Sequence, residues 1–194
     1  MDNNISKCIL QFMKGRIPRL CHSKAALAQL RRGIGKELGE LPALLAFVLP
    51  EEELSSWQEG EEMAEKAIYA AITLYAFHQQ GSESCVSAGI EEKDMSVSQR
   101  NSFGHAMWRL SQKREQDEGI LRRFRQVVTA KDITELSVHA RGLIGMLRQE
   151  GISLDYPSFA VDLYWFQQAD TRRRILLQWG KDYYITKQRE EDTK

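Results

Sequence analysis

The feature that most constrains this chain is the spacing of its apolar residues, which recur every three or four positions along almost the whole sequence. This spacing places apolar side chains on one face of an α-helix. The alternation of apolar and polar residues that indicates a strand is not convincing anywhere. The clearest helical stripe is Met63, Ala67, Ala70, Ala71, Leu74 and Phe77. We therefore predict an all-α protein made of two small antiparallel helical bundles packed together.

Capping residues predict where several of these helices begin and end. Ser23 is suited to the N-cap of the second helix. Asp132, followed three residues later by Glu135, forms the pattern of a capping box, and the helix it begins should stop at Gly151. Asp155 is suited to capping the next helix, which has a proline in its first turn.

We predict short helices near the two ends of the chain. The first spans residues 6–13 and ends at Gly15, and the last spans residues 170–184. An aromatic cluster near the C-terminus is expected to hold the last two helices together. It consists of Tyr164, Trp165, Trp179, Tyr183 and Tyr184.

A segment rich in Ser, Gly and Glu divides the chain. Residues 81–98 show little helical periodicity, which is typical of a flexible connection. We predict an N-terminal helical lobe over residues 1–80 and a C-terminal helical lobe over residues 99–194.

The charges are balanced in total but not along the chain. The 27 Lys and Arg residues equal the 27 Asp and Glu residues, and an even distribution of such charge would argue against nucleic-acid binding. The distribution is uneven. Residues 14–36 contain Lys and Arg but no acid, residues 40–65 contain Glu but no base, and residues 100–148 are again rich in Arg. The zero net charge is thus a sum of unlike blocks.

The second basic block places cations on helix surfaces. Arg122 and Arg125 point away from the apolar stripe that contains Phe124, and Arg123 lies at its margin. On the preceding helix, the spacing i, i+4, i+8 forms one ridge. This ridge consists of His105, Arg109 and Lys113. Several mobile cations at such spacing suit successive phosphates, and the arginine fork suits each of them.

The basic segments and the nearby aromatic residues also have purely structural explanations. An arginine-rich helix face is most often solvated surface stabilised by neighbouring acids. The basic segment 14–36 could equally dock on the acidic segment that follows it. Phe124 is expected in the core, whereas Trp108 falls off its helix's apolar stripe, which leaves an interface role or base stacking as alternatives.

The sequence contains no recognisable motif for catalysis or cofactor binding. No P-loop, nucleophile elbow or acid–base pair is present. The histidines show no metal-ligand spacing. They are His22, His78, His105 and His139. We predict no enzyme activity, no cofactor and no metal.

The cysteines and the N-terminus indicate the compartment. Cys8, Cys21 and Cys85 form no C-x-x-C motif, which is typical of free thiols in a reducing environment. The first 15 residues lack the pattern of a signal peptide, and no apolar run is long enough to span a bilayer. A cytoplasmic protein without a membrane segment is expected.

Four short phrases, in order, resemble a known family. They are Leu30-Arg31-Arg32-Gly33, Phe103-Gly104-His105-Ala106 followed by Arg122-Arg123-Phe124-Arg125-Gln126-Val127, Asp162-Leu163-Tyr164-Trp165, and Trp179-Gly180-Lys181-Asp182-Tyr183-Tyr184. Their order and spacing over residues 24–184 resemble the CasB family, the small subunit of the type I-E CRISPR surveillance complex Cascade.

The resemblance implies a function and a set of site residues. The family is all-helical and non-catalytic, and two copies lie along the inner face of the RNA-guided complex. There they contact other Cascade subunits with guide RNA, hold the displaced DNA strand and stabilise the R-loop. The guide RNA or the target strand are further candidate ligands. The resemblance carries Arg31, Arg32, Arg122 and Arg125 over as nucleic-acid contacts.

Further candidate contacts come from the residues themselves. Lys24 and Arg123 belong to the basic segments, whereas Arg109, Lys113 and Arg141 follow from the helix ridges. A second function is left open: a helical adaptor that binds only protein. Its interfaces would be the acidic block, meaning the Glu-rich residues 40–65, and the aromatic cluster. Salt-sensitive binding of nucleic acid distinguishes the two.

Overall fold

The structure, a computed structural model, describes residues 3–49, 61–88, 102–114 and 118–191. It is all-α over these residues, as the apolar spacing predicts. The helices are α1 (Asn3–Cys21), α2 (Lys24–Leu30), α3 (Leu45–Val48), α4 (Glu61–His78), α5 (Phe103–Lys113), α6 (Glu118–Val128), α7 (Ile133–Glu150), α8 (Tyr156–Phe166) and α9 (Ala169–Glu191), with 3₁₀ turns at Arg31–Gly33 and Pro42–Leu44.

Two of the predicted N-caps are confirmed at α2 and α8. The Ser23 hydroxyl accepts the Ala26 amide at 3.4 Å, and the Asp155 carboxylate accepts the Ser158 amide at 2.9 Å. Each side chain satisfies an amide that has no partner inside its helix, which is why these residue types mark helix starts.

The boundaries of α7 are also confirmed. Asp132 accepts the Glu135 amide at 2.8 Å, while the Glu135 carboxylate accepts the amide of Lys131, one residue before the cap. Gly151 ends the helix with φ of +62°, in the left-handed region where glycine carries no Cβ penalty. The reciprocal bond of the capping box is thus displaced by one residue, while the helix start is unchanged.

The first helix is longer than predicted, and its predicted end at Gly15 is wrong. Helix α1 continues through Gly15 and Pro18 to Cys21. Ile9, Met13 and Ile17 are fully buried at spacings of four, so one apolar face runs past the glycine. Burial of that face outweighs the helix-breaking tendency of an exposed glycine, which amounts to about 1 kcal/mol.

The last helix also exceeds its prediction. Helix α9 begins at Ala169 and continues beyond Tyr184 to Glu191. Residues 185–191 contain neither glycine nor proline, so nothing in the local sequence stops the helix.

One continuous core joins the helices. Helix α4 lies at its centre, in contact with α1, α2, α7 and α8, while α5 packs on α9 and α6 packs on α7. Buried residues of α1 and α4 belong to the same cluster as those of α5 to α9. The division into lobes at 1–80 and 99–194 stays a prediction, and the connection predicted at 81–98 falls outside the described residues from residue 89 onward.

The aromatic cluster is distributed more widely than predicted. Trp179 donates to a carboxylate on α8 and so joins the last two helices. Trp165 instead donates to the Ser6 hydroxyl of α1 at 2.9 Å, and the Tyr183 ring stacks on Phe124 of α6 at a centroid distance of 5.7 Å. These aromatic side chains therefore connect α8 and α9 to other helices as well as to each other.

Candidate nucleic-acid interface

The outer face of α6 presents two arginines to solvent. Arg122 and Arg125 are exposed, whereas Phe124 and Val127 on the opposite face are buried. Among the described residues, neither guanidinium has an ion-pair partner. Both line an open depression that also includes Glu118, Gly119 and Leu121. The outward direction that the apolar stripe predicts for these two side chains is observed.

Arg123 lies at the seam between α6 and α7. Its Nη1 donates to the Gly119 carbonyl at 3.2 Å, one turn earlier in α6. Its Cδ would be 3.9 Å from a Cβ added to Gly142, so the side chain extends over α7 at a point where that helix has no side chain. Arg123 is thus half-buried at the margin of the stripe, with its aliphatic stem beside α7 and its guanidinium bonded to a carbonyl of α6.

The outer face of α7 continues the cationic surface. No acid occurs between Glu135 and Glu150, the first and last turns of the helix. Arg141 is exposed, and its guanidinium lies 5.2 Å from the centre of the Phe77 ring. Val138, one turn earlier, is 51% exposed. This face of α7 therefore presents one arginine and a small apolar area, and the carboxylates of α7 are confined to its first and last turns.

The 3₁₀ turn that carries Arg31 and Arg32 is held against α4 by Gly33. The Gly33 carbonyl accepts the Tyr69 hydroxyl at 3.1 Å. A Cβ on Gly33 would lie 2.5 Å from that hydroxyl oxygen and 2.7 Å from a methyl of Leu44, so only glycine permits this approach. Arg32 is exposed and Arg31 is half-buried on the docked turn.

This turn is adjacent to α7. Gly35, with φ of +73°, has no side chain, and a Cβ there would lie 2.7 Å from a methyl of Val138. Lys36 pairs with Glu40 at 3.5 Å, so part of the basic segment does meet the acid that follows it. Lys24, at the start of α2, is exposed. The tertiary structure thereby brings the first basic segment beside the α7 surface.

The ridge predicted on α5 is partly engaged by α7. Lys113 Nζ donates to the Glu150 carbonyl at 2.5 Å, at the C-terminus of α7. Next to it, Arg114 Nε is 2.8 Å from the Glu150 carboxylate. Arg109 is half-buried. The C-terminal end of the ridge therefore neutralises the end of the α7 dipole, a role that the spacing alone does not indicate.

Trp108 belongs to the core, so the stacking and interface roles left open for it are wrong. Its side chain is 6% exposed, and its ring contacts that of His105 at 5.4 Å. Helix α5 contacts α6, α7 and α9, so residues on more than one stripe are buried. Phe124 is 5% exposed, and its predicted place in the core is confirmed.

Helix α9 carries cations that the sequence analysis missed. Arg173, Arg174 and Lys181 are exposed, and Leu177 and Tyr184 beside them are 56% and 52% exposed. The spacing of Arg173, Leu177 and Lys181 at i, i+4 and i+8 was available as a signal. These cations lie outside the denser basic block at residues 100–148.

His78 is buried in the core and hydrogen-bonded to another core side chain. His78 is 1% exposed, and its Nδ1 lies 3.1 Å from the Tyr156 hydroxyl. Burial, together with the positive charge of Arg148, lowers the pKa of His78 to about 4. The neutral imidazole is therefore the stable form at neutral pH. Within the described part of the chain, no group of three or more His, Cys, Asp or Glu residues could hold a metal ion.

Fold and surface together define the class of the protein: an all-α chain with one continuous core and its cations concentrated on the outer faces of a few helices. Over the described residues, no helix has both the length and the apolar character needed to cross a membrane. A family model described as CRISPR-associated protein Cse2 matches residues 26–184. The chain belongs to this CasB/Cse2 family of the type I-E CRISPR Cascade complex.

Solved structures of similar proteins share the fold of this chain. CasB from Thermobifida fusca is 28% identical, with a TM-score of 0.67 over 92% of this chain and 97% of that chain. CasB from M. ruber is 21% identical, with a TM-score of 0.66 over 98% of both chains. A Cse2-family CRISPR-associated protein from Thermus thermophilus is 21% identical, with a TM-score of 0.58 over 92% of this chain and 97% of that chain. A search of curated proteins found no match.

Proposed function

We propose that this chain is a non-catalytic Cascade subunit that binds nucleic-acid backbone without sequence specificity. The contact surface, called the basic face below, comprises the candidate arginines on the 3₁₀ turn, α6 and α7. These are Arg31, Arg32, Arg122, Arg123, Arg125 and Arg141. Lys24, Arg109 and Lys113 are candidates at its periphery.

The proposal is supported above all by the exposure of Arg122 and Arg125 and by their lack of a carboxylate partner among the described residues. Both are exposed on one face of α6 and, among the described residues, neither is paired with a carboxylate. An arginine that is already paired gains little from a phosphate, because the new contact replaces an existing one. Two exposed arginines that no described carboxylate neutralises can each displace a counterion from a nucleic-acid strand, which favours binding entropically.

The ligand we propose is the DNA strand displaced when guide RNA pairs with its target. Exchange of a DNA duplex for an RNA–DNA duplex is nearly balanced in free energy, so a few backbone contacts suffice to favour the open form. Arginine contacts to phosphate do not depend on base identity, and this suits a strand whose sequence changes with each target. Guide RNA and target strand are further candidate ligands.

The same proposal assigns the setting. The chain acts in the cytoplasm as one of two copies in a complex with the other Cascade subunits and guide RNA. With a net charge of zero, the isolated subunit is expected to bind weakly, and the assembly supplies most of the affinity.

The test is the salt dependence of single-stranded DNA binding by the assembled complex. For wild type, log Kd should rise linearly with log salt concentration. The double variant Arg122→Ala, Arg125→Ala should lower that slope by about one unit per arginine. The matched control Arg173→Ala, Arg174→Ala removes the same net charge from α9 and should leave the slope closer to wild type.

Two results would count against the proposal. An unchanged slope in the α6 variant would show that Arg122 and Arg125 do not meet phosphate. Equal losses in the α6 and α9 variants would indicate a general effect of net charge. A complex that assembles normally yet binds no nucleic acid at low salt would favour the adaptor, whose acidic block and aromatic cluster bind only protein.

A further inference from the structure

Two thiols and a tyrosine hydroxyl lie together where α1 ends. The Tyr75 hydroxyl is 3.5 Å from Cys85 Sγ. The Cys21 thiol, in the last residue of α1, lies near enough to the Tyr75 hydroxyl and the Cys85 thiol for both groups to influence its pKa. The two cysteines are 64 positions apart in sequence, so the tertiary fold alone brings them near each other.

The loop that carries Cys85 is held in place by a buried amide. Gln79 is 3% exposed, and its Oε1 accepts the Tyr75 hydroxyl at 3.1 Å and the Val86 amide at 3.0 Å. Its Nε2 donates to the carbonyls of Ser82 and Ser84 at 3.3 Å and 2.7 Å. One side chain thus fixes residues 82–86, so Cys85 is held in a defined position beside Tyr75.

Cys85 is accessible to a small reagent, while Cys21 is shielded. Cys85 is exposed and lines a cavity of about 380 Å³. The cavity wall also includes Ser84, Arg148 and Ser153, whose hydroxyls and guanidinium suit a small anionic molecule. Cys21 is partly buried. Burial also raises the pKa of the Cys21 thiol. Because Cys85 is the exposed thiol of the two, it is the one that a dissolved reagent reaches first.

We propose that Cys21 and Cys85 form a reversible dithiol–disulfide pair that closes when the protein meets a low-molecular-weight disulfide such as oxidised glutathione. The Cys85 thiolate attacks one sulfur of that disulfide and releases one glutathione thiol. The Cys21 thiolate then attacks Cys85 Sγ and releases the second. The pair loses two electrons and two protons, and oxidised glutathione gains both.

The disulfide would tie the end of α1 to the loop that follows α4. It would close a covalent loop of the 65 residues from 21 to 85, and cross-links over loops of this length restrict the unfolded chain strongly. In a reducing cytosol the pair stays as thiols, and it closes under oxidative stress. This inference does not depend on the nucleic-acid function proposed above.

The experiment is peptide mapping of the folded protein after exposure to oxidised glutathione. Trypsin should then release residues 20–24 and 67–93 as one linked species, about 2 Da lighter than the sum of the two reduced peptides. The melting temperature measured without reductant should rise by about 5–10 °C. Dithiothreitol should reverse both changes.

Variants separate this pair from general thiol oxidation. Cys85→Ser should abolish the linked species and the rise in melting temperature, whereas Cys8→Ser should preserve both. Persistence of a stable glutathione adduct on Cys85, or linkage of either cysteine to Cys8, would overturn the proposal. Unchanged alkylation of both Cys21 and Cys85 after oxidation would also overturn it.

Discussion

The indole Nε1 of Trp179 donates a hydrogen bond of 2.7 Å to the Asp162 carboxylate, joining α9 to α8. The Trp179 side chain is fully buried, and its ring contacts those of Phe103 and Phe159 at 5.0 Å and 5.9 Å. Asp162 therefore satisfies the one polar atom of an indole that otherwise lies entirely among aromatic rings.

Loss of this acceptor should destabilise the fold. Asp162→Ala leaves a buried N–H without a partner, and we expect the free energy of unfolding to fall by about 1–3 kcal/mol. Asp162→Asn retains an acceptor oxygen of the same reach and should cost less than about 1 kcal/mol. Urea unfolding measures both variants. Equal losses in the two would show that the charge of Asp162, and not its bond to Trp179, is what matters.

Two glycines in packed helices should respond in opposite ways to alanine. A Cβ on Gly104 of α5 would overlap the backbone carbonyl of Trp179, which cannot move without shifting α9. Gly104→Ala should therefore lower the free energy of unfolding by about 3 kcal/mol or prevent folding. Gly180 in α9 has nothing within 4 Å of that position. Gly180→Ala should raise stability by about 0.5–1 kcal/mol, because alanine restricts the unfolded chain. Thermal melts compare the two, and similar effects would contradict the packing of α5 on α9.

Acid should destabilise the protein through His78. Its pKa is lowered from 6.5 to about 4 by burial and by the positive charge of Arg148, so the unfolded chain binds the proton more readily than the folded one. The free energy of unfolding should decrease as pH falls from 6.5 to 4, by roughly 3 kcal/mol in total, and this contribution should be constant below pH 4. His78→Gln should lose less stability over the same pH range, as measured by urea unfolding. An identical pH dependence in both proteins would contradict this assignment.

Substitution of Arg141 should affect nucleic-acid binding, whereas substitution of Arg148 should affect mainly stability. Both guanidinium groups lie near the Phe77 ring, but Arg148 also donates to the Gln80 side chain at 3.0 Å. Arg141→Ala should reduce the salt slope of DNA binding by about one and cost at most about 1 kcal/mol of stability. Arg148→Ala should destabilise the fold with a smaller change in slope. The reverse ranking would remove Arg141 from the basic face.

Much of the fold could be predicted because the signals are local. Ser23, Asp132 and Asp155 each cap the helix that follows within three residues, and Gly151 ends a helix through its own φ angle. The predicted stop at Gly15 failed for a non-local reason: the face of α1 that continues past it is buried against distant helices. The prediction that left Trp108 outside the core failed for the same reason, because other helices pack against α5 on several sides.

The sequence predicts which cations of the candidate site lie on helix surfaces, but not which of them are already bonded to other residues. The apolar stripe of α6 indicates that Arg122 and Arg125 face outward, because helical periodicity sets direction. It does not indicate that Lys113 binds the carbonyl of Glu150, or that Arg148 reaches Gln80, since those partners lie 37 and 68 positions away in sequence. The sequence predicts both Lys113 and Arg122 as cations on helix surfaces, and only the fold shows that Lys113 is bonded to a carbonyl while Arg122 is exposed.

By itself the sequence determined an all-α protein, the starts of three helices and the uneven charge behind a net value of zero, because hydrophobic periodicity, capping and charge are properties of neighbouring residues. The tertiary structure decided which cations meet carbonyls and carboxylates and which remain exposed. It also brought the turn at Gly35 beside Val138 and Cys21 beside Cys85. Such contacts arise from packing a buried face against a distant one, and packing fixes their partners only when the whole core has formed.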